Sequence, residues 1–306
     1  MLIADIDPVN LKITTVLDTQ KIPRLGRGVD SNKYITKDSI RTAIKILNEF
    51  KSISNNYNSE KIIASATSFL RDAKNKDEFI SEIKKNSGID IEELSGNDEA
   101  KWSFWGVVSE QLSINNEQII LTIDIGGGST EITSAYIQIK NNLKNTIEKT
   151  EINTNSIDIG SVRINEKFLK HQPPFSEELE EAEKFIIKNI ESLTFNLIKD
   201  NCVLIGLAGT ITTLGALKLN LKTFNKEKID GLILTSEDVK NLFHNFTISP
   251  LQHLLSLGEY MQGRADIILP GAMILKYIME RLGLDEIKIS TKGLRYGLLL
   301  RELIKH

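Results

Sequence analysis

Asp124 and Glu131 flank Ile125-Gly126-Gly127-Gly128-Ser129-Thr130, at the end of a β-type run, Gln118 to Ile123. Glycine alone enters positive-φ conformations at little cost, and consecutive glycines let backbone N–H groups crowd against an anion with no Cβ in the way. Two flanking carboxylates would repel a polyphosphate unless a divalent cation sat between them. The residue types therefore read as a phosphate loop, Gly126, Gly127, Gly128, Ser129 and Thr130, with Asp124 and Glu131 as Mg²⁺ ligands. The alternative is a tight β-hairpin turn, because Ile132 to Ile139 reads as the next strand. Against it, a turn needs only a glycine or two and no flanking acids.

A second strand-to-helix turn carries related chemistry. Gly206-Leu207-Ala208-Gly209-Thr210-Ile211-Thr212-Thr213 puts small residues and hydroxyls where an apolar strand, Val203 to Leu207, gives way to a helix. A helix N-terminus offers unpaired N–H groups and the positive end of the helix dipole. Thr before a helix also serves as a plain cap, so the turn gains meaning only as the opposite wall of the Asp124 loop. Three further segments place charge or hydroxyls at strand ends. Thr67, Ser68 and Arg71 follow the strand Lys61 to Ala66; Asp98 and Glu99 open a helix after Ile89 to Glu93; Arg264 and Asp266 lie in Gly263-Arg264-Ala265-Asp266. Acids at a helix start have an ordinary explanation in the dipole.

The elements that must position these groups read as α/β. Leu2 to Ile6 and Leu11 to Leu17 are strands joined by the turn Asp7-Pro8-Val9-Asn10. Ile40, Ala43, Ile44, Leu47 and Phe50 mark one face of a helix from Thr36 to Phe50, with Thr36 or Ser39 as cap. Lys76 to Asn86 is an amphipathic helix ended by Gly88. Glu99 to Gln111 is a helix whose Trp102, Phe104 and Trp105 belong to a core. The polar segment Leu112 to Gln118 is the linker candidate. A second α/β unit runs from Ile119, with an exposed hairpin end over Lys140 to Asn155 and a long helix from Ser176 to Asp200 behind Pro173-Pro174. A helix over Thr212 to Leu219 opens a mostly helical C-terminal third.

Composition narrows the partners. The 306 residues are 41% hydrophobic and 26% charged, ordinary for a globular chain with room for two cores. A net charge of −3 argues against a general nucleic-acid or membrane-surface binder, so charge for a polyanion must come from a few placed Arg and Lys. The single cysteine, Cys202, excludes an internal disulfide and reads as a buried structural thiol. Four scattered His make no metal cluster. No signal peptide opens the sequence, and the apolar stretch Ile267 to Met279 is too short to span a bilayer, which makes the cytoplasm the default location.

In order along the chain, Arg24-Leu25-Gly26-Arg27-Gly28, Ala66-Thr67-Ser68 with Arg71, Ser95-Gly96-Asn97-Asp98-Glu99-Ala100, Asp124 to Glu131, Gly209 to Leu214, Gly263 to Asp266 and Gly293-Leu294-Arg295-Tyr296-Gly297 resemble the exopolyphosphatase / guanosine pentaphosphate phosphohydrolase (Ppx/GppA) family, in its short form without an HD-type domain. The resemblance implies an α/β fold of two ribonuclease-H-like (actin/hexokinase-like) domains with an interdomain active-site cleft. The boundaries read as 1–117 and 118–292, with a C-terminal helix over 293–306 packed back on the first domain. It implies Glu99 as general base, Asp124 and Glu131 as holders of Mg²⁺, and Thr67, Ser68, Arg71, Gly126 to Thr130, Gly209, Thr210 and Arg264 as phosphate binders. The implied reaction is release of orthophosphate from inorganic polyphosphate or from guanosine pentaphosphate, with the tetraphosphate as a related ligand. The family is often a homodimer, but no surface in the sequence announces one.

One departure qualifies this. The family opens with another phosphate loop, Asp-Ile-Gly-Thr-Asn-Ser and a basic residue. Asp5-Ile6-Asp7-Pro8-Val9-Asn10 is either a degenerate version of it, or Leu2 to Ile6 is the family's next strand. The short interval from Asp5 to Arg24 favours the strand, so the expectation is that the first strand and loop are missing from the chain as given. Either the natural protein is longer, or this is a weakened or non-catalytic polyphosphate-binding member with an unpaired sheet edge. A sugar-kinase-like phosphotransferase is the third class, disfavoured for want of a sugar-binding set.

Overall fold

The computed structural model describes residues 1–8, 12–21, 23, 25–26, 29–108, 117–138, 143–191 and 202–305. The turn residues Val9 and Asn10, Arg24, Arg27 and Gly28 of the first family segment, the linker up to residue 116 and residues 192–200 of the long helix lie outside them. The chain divides into two compact units, Met1–Gly106 with Leu294–His306, and Val107–Gly293. The division falls within the last turn of the helix that carries Glu99.

The first unit begins with strands β1 (Leu2–Asp7) and β2 (Lys12–Asp18), an antiparallel pair. Asp5 sits inside β1 opposite Thr14, in a ladder position rather than a loop. The short helix α1 (Val29–Asn32) precedes α2 (Lys37–Asn56), whose cap is Thr36, its hydroxyl accepting from the Ser39 N–H. Strands β3 (Ala64–Ala66) and β4 (Ile91–Glu93) pair in parallel as a second, separate two-stranded sheet, joined through α3 (Ser68–Arg71) and α4 (Lys76–Ser87). Gly88 ends α4 at φ 70°, the left-handed conformation that glycine accepts. Ile40, Ala43, Leu70, Phe79 and Ile83 form the core between these elements. Helix α5 (Gly96–Val108) then buries Trp102, Phe104 and Trp105.

The second unit is built on one six-stranded sheet. Strands β5 (Gln118–Ile125) and β6 (Thr130–Ile137) form a hairpin. After α6 (Leu143–Lys149), β7 (Asn153–Ile157) adds antiparallel to β6. The segment read as an exposed hairpin end thus holds a helix, and Ile147 on it is buried. Helices α7 (Ser161–Phe168) and α8 (Ser176–Ile190) lead to β8 (Cys202–Leu207), parallel to β5. Cys202, half-buried at the start of β8, is less enclosed than the sequence suggests. Next come α9 (Ala208–Lys218), α10 (Lys226–Ile229), β9 (Ile233–Thr235), α11 (Ser236–Ile248), α12 (Leu251–Ser256) and α13 (Ile268–Leu282). Strand β10 (Glu286–Ile289) closes the order β7-β6-β5-β8-β10-β9. Helix α9 is buried from Thr210 to Leu217, which is why its sequence is apolar around its whole circumference. Leu121, Ile123 and Ile125 of β5 join its Ile211 and Leu214 and the apolar residues of α13 in one core. The period-2 alternation of β5 then directs Asp124 to the opposite face of the sheet.

Helix α14 (Leu294–Leu303) belongs to the first unit. The Tyr296 hydroxyl lies 3.1 Å from Thr15 Oγ1, Arg295 is hydrogen-bonded to Asp18, and Lys61 pairs with Glu302 at 2.5 Å. Gly297 allows α14 to press against α5, because a Cβ there would stand 1.7 Å from the Trp102 carbonyl oxygen. Gly297→Ala should force the two helices apart at about 1–3 kcal/mol and lower the melting midpoint by about 2–10 °C. Near-UV circular dichroism on the Trp102 and Trp105 signals measures this; an unchanged midpoint would show that the helices do not meet there.

Candidate active site

The glycine loop is the hairpin turn between β5 and β6. Asp124 and Glu131 are directly opposite in the β5–β6 register, so both carboxylates fall on the same face one strand apart. Like charges so placed destabilise the pair unless a cation or donors intervene. Glu131 is only 5% exposed, and its Oε1 accepts from Ser129 Oγ at 2.6 Å and Ser156 Oγ at 3.1 Å. Within the loop, the Gly126 N–H closes the turn on the Ser129 carbonyl at 3.0 Å. The carbonyls of Gly126 and Gly127 are taken by the first turn of α7: Ser161 N–H donates to Gly126, and Val162 and Arg163 N–H donate to Gly127, at 2.9–3.0 Å. A helix N-terminus has N–H groups to spare, and here they hold the loop from beneath. Among the described residues no backbone acceptor meets the N–H groups of Gly127 and Gly128, although neither glycine takes the positive φ that the sequence suggested. Thr130 is fully buried with its hydroxyl on the Ile159 carbonyl at 2.6 Å, so it anchors the hairpin rather than lining the loop.

The second turn lies on the adjacent strand. Asp124 pairs with Leu207, so Ala208-Gly209-Thr210 follows directly beside the glycine loop. Ala208 makes the turn at φ 64°, a left-handed conformation that costs an alanine about 1–3 kcal/mol. No side chain caps α9, and the Thr210 hydroxyl reaches Ile125 O at 3.3 Å, tying the helix start to the end of β5. Arg264 lies so close over Gly209 that a Cβ there would stand 1.9 Å from its Nη1. A guanidinium beside the N-terminal end of a helix adds positive potential where an anion is already favoured. The third parallel strand, β10, ends at the same edge: Ser290 N–H donates to Gly206 O at 2.8 Å, and burial pushes the ammonium of the next lysine, Lys292, below its usual pKa.

In the first unit, Glu99 opens α5. Its neighbour Asp98 explains the ordinary part of the acid pair: Ser95 Oγ donates to Asp98 Oδ2 at 2.6 Å and accepts from the Asp98 N–H at 3.0 Å, closing the helix start. Glu99 instead meets Arg71, Nη1 to Oε2 at 2.8 Å, with both side chains largely enclosed. Arg71 Nη1 also donates to Leu94 O at 2.9 Å. Thr67, at the N-cap of α3 without capping it, gives its hydroxyl to Glu99. Burial pushes the Glu99 carboxyl above the usual range, and the bonds from Arg71 and Thr67 pull it back only in part. Ser68 opens α3 and is not among the Glu99 contacts.

Three clusters thus emerge: Thr67, Arg71 and Glu99 in the first unit, and the Asp124–Glu131 hairpin with Gly209, Thr210 and Arg264 in the second. The profile of the Ppx/GppA phosphatase family matches residues 2–306. The chain belongs to that family. It is 34% identical over 309 residues to the bifunctional 3-dehydroquinate synthase/phosphatase of Fusobacterium nucleatum subsp. nucleatum, covering 98% of this chain and 44% of that protein. It therefore spans less than half the length of that relative. It is 27% identical over 290 residues to exopolyphosphatase 2 of Mycobacterium tuberculosis, with 92% and 86% covered. The crystal structure of the Aquifex aeolicus Ppx/GppA family member superposes with a TM-score of 0.78 at 28% identity, covering 99% of this chain and 93% of that one. With these matches the chain has the α/β, two-domain, actin/hexokinase-like architecture of the solved Ppx/GppA structures.

Sequence reasoning missed the segment Ser156-Ile157-Asp158-Ile159-Gly160-Ser161-Val162-Arg163. Its signal was a glycine ahead of a short amphipathic helix, close behind a strand. Gly160 is where α7 meets the loop: a Cβ would stand 2.3 Å from the Gly127 carbonyl oxygen and 2.6 Å from the Gly128 carbonyl carbon. Gly160→Ala should unseat α7 and release the hairpin tip, costing about 1–3 kcal/mol. Hydrogen exchange is the measurement. Ser161 to Arg163 should lose at least tenfold protection while β8 stays protected; unchanged protection at Ser161 to Arg163 would count against the support.

Proposed function

We propose that this chain hydrolyses the terminal phosphoanhydride bond of inorganic polyphosphate, releasing orthophosphate, with guanosine pentaphosphate as the competing substrate of the same bond type. The observation that carries the reading is the placement of hard oxygen donors and anion-favouring groups side by side at the ends of β5 and β8. Asp124 and Glu131 share one face across the β5–β6 ladder, and Arg264 lies over Gly209 at the N-terminal end of α9. Relatives named exopolyphosphatases support the substrate class.

Mg²⁺ fits the donor set. It is commonly held by one or two carboxylates together with substrate phosphates and waters. Asp124 and Glu131 supply hard oxygen donors of that kind, and among the described residues no cluster of three His, Cys, Asp or Glu forms a closed cage. Bound there, the ion would neutralise phosphate charge. Gly127 and Gly128 N–H groups, the α9 N-terminus and Arg264 would hold the non-bridging oxygens, since phosphoryl transfer relies chiefly on positioning and electrostatics. Glu99 would accept a proton from the attacking water as the new P–O bond forms. The bridging P–O bond breaks, and the chain one phosphate shorter leaves. Arg71 and Thr67 hold the Glu99 carboxylate in place.

Phosphate release from polyphosphate with Mg²⁺ is the test. Glu99→Gln should lower kcat about 10²–10⁴-fold while retaining substrate binding; loss of binding with intact kcat would overturn the assignment of Glu99 as base. Binding without release by the unsubstituted chain would favour the non-catalytic reading. A dependence on pH follows from Glu99. A carboxyl held above its ordinary value loses its proton later, so the acid limb of the rate profile should lie above the usual carboxylate range. Arg71 pulls that pKa down, so Arg71→Ala should move the limb further up in pH as well as lowering the maximum. A limb that moves down in pH would mean that Arg71 does not act on Glu99.

A further inference from the structure

Two ladder registers line up three side chains across the second unit. Asp124 of β5 pairs with Glu131 of β6, and Glu131 pairs in turn with Ser156 of β7. Direct partners share a face, so the row runs Asp124, Glu131, Ser156 over three neighbouring strands. The Ser156 hydroxyl completes the row by donating to Glu131 Oε1 at 3.1 Å, the same oxygen that Ser129 reaches at 2.6 Å. Ser156 is solvent-exposed on the edge strand, whereas Glu131 is buried.

We infer that Ser156 is a positioning residue for the carboxylate pair: with Ser129 it fixes the orientation of the Glu131 carboxylate on the face it shares with Asp124. The inference rests on the proposed role of Asp124 and Glu131 as hard-cation ligands. Two hydroxyl donors occupy Oε1, and a carboxylate held on one oxygen cannot swing between monodentate orientations without losing both bonds. The two donors come from different places. Ser129 sits in the loop itself, while Ser156 is held by the β6–β7 ladder. Ser156 therefore ties Glu131 to the sheet independently of the loop. A buried carboxylate opposite another carboxylate needs such donors in any case, since unmet charge in the interior is costly.

The test uses Mn²⁺ as a spectroscopic substitute for Mg²⁺ and measures its binding to the full chain by electron paramagnetic resonance, with no substrate present. Ser156→Ala should weaken Mn²⁺ binding about 10-fold or more, the usual scale for losing a partner behind a metal ligand. Ser156→Thr, which keeps the hydroxyl and suits an edge strand, should restore binding to within a few-fold. In turnover assays, Ser156→Ala should raise the Mg²⁺ concentration needed for half-maximal rate, with kcat at saturating Mg²⁺ largely kept. Equal Mn²⁺ affinity in the alanine variant and the unsubstituted chain overturns the inference while leaving the metal reading intact. Absence of Mn²⁺ binding by the unsubstituted chain overturns both. A threonine variant as weak as the alanine one shows that shape, not the hydroxyl, governs the position, and likewise overturns it.

Discussion

The second unit is organised around two juxtapositions of like charge, placed side by side where parallel strands end. Asp124 faces Glu131 across a ladder, and Arg264 covers the positive end of α9 at Gly209. Side by side they concentrate hard oxygen donors next to positive potential, the two features that the proposed cation-bound phosphate would need. The surrounding fold fixes both placements. The β5–β6 hairpin fixes the first by register, and Thr210 on Ile125 O together with the buried α9 fixes the second.

The cradle is made from backbone, which explains where glycine is indispensable. A Cβ would block the approach of α7 to the loop at Gly160 and of the Arg264 guanidinium to Gly209. The first turn of α7 takes the carbonyls of Gly126 and Gly127 and so acts as scaffold for the loop. Its neighbour α9 meets the loop's strand through Thr210 and has Arg264 over its Gly209. The difference lies in what each N-terminus meets first: carbonyl oxygens for α7, an arginine for α9.

How much of this was legible in the sequence follows the range of each interaction. The Asp124–Glu131 segment was readable because a strand, a glycine run and a second strand are local patterns. The alternatives of phosphate loop and hairpin turn did not exclude one another: the residues form the β5–β6 hairpin turn, and that geometry is compatible with a phosphate loop. The cap at Thr36 and the stop at Gly88 were equally local. The pairing of Arg264 with Gly209 depends on the course of the chain between them, and the sequence showed only that both are residue types suited to phosphate. Thr130 read as a loop hydroxyl, but burial turns it to Ile159. The helix over Leu143–Lys149 was hidden because its Asn- and Lys-rich surface outweighs its single buried face at Thr146 and Ile147. Gly160 offered only a weak signal, a glycine ahead of a short amphipathic helix, since a close backbone approach leaves no trace except the absence of a side chain.

Glu99 shows why residue type at a helix start does not decide role. Asp98 and Glu99 are adjacent acids, and the dipole favours both. Asp98 closes the helix start with Ser95, so the helix has what it needs from that residue alone. Glu99 is then released from capping, and its position one residue on turns it toward Arg71 and Thr67 in a largely enclosed setting. Burial there raises the cost of its charge, and the arginine returns part of it. A carboxylate balanced in this way is more basic than a solvated one yet still able to lose its proton, which suits a group that must take a proton from water and later give it up. The first turn of α5 therefore sets Asp98 against Ser95 and Glu99 against Arg71, and Gly297 against Trp102 helps fix where that helix lies within its unit.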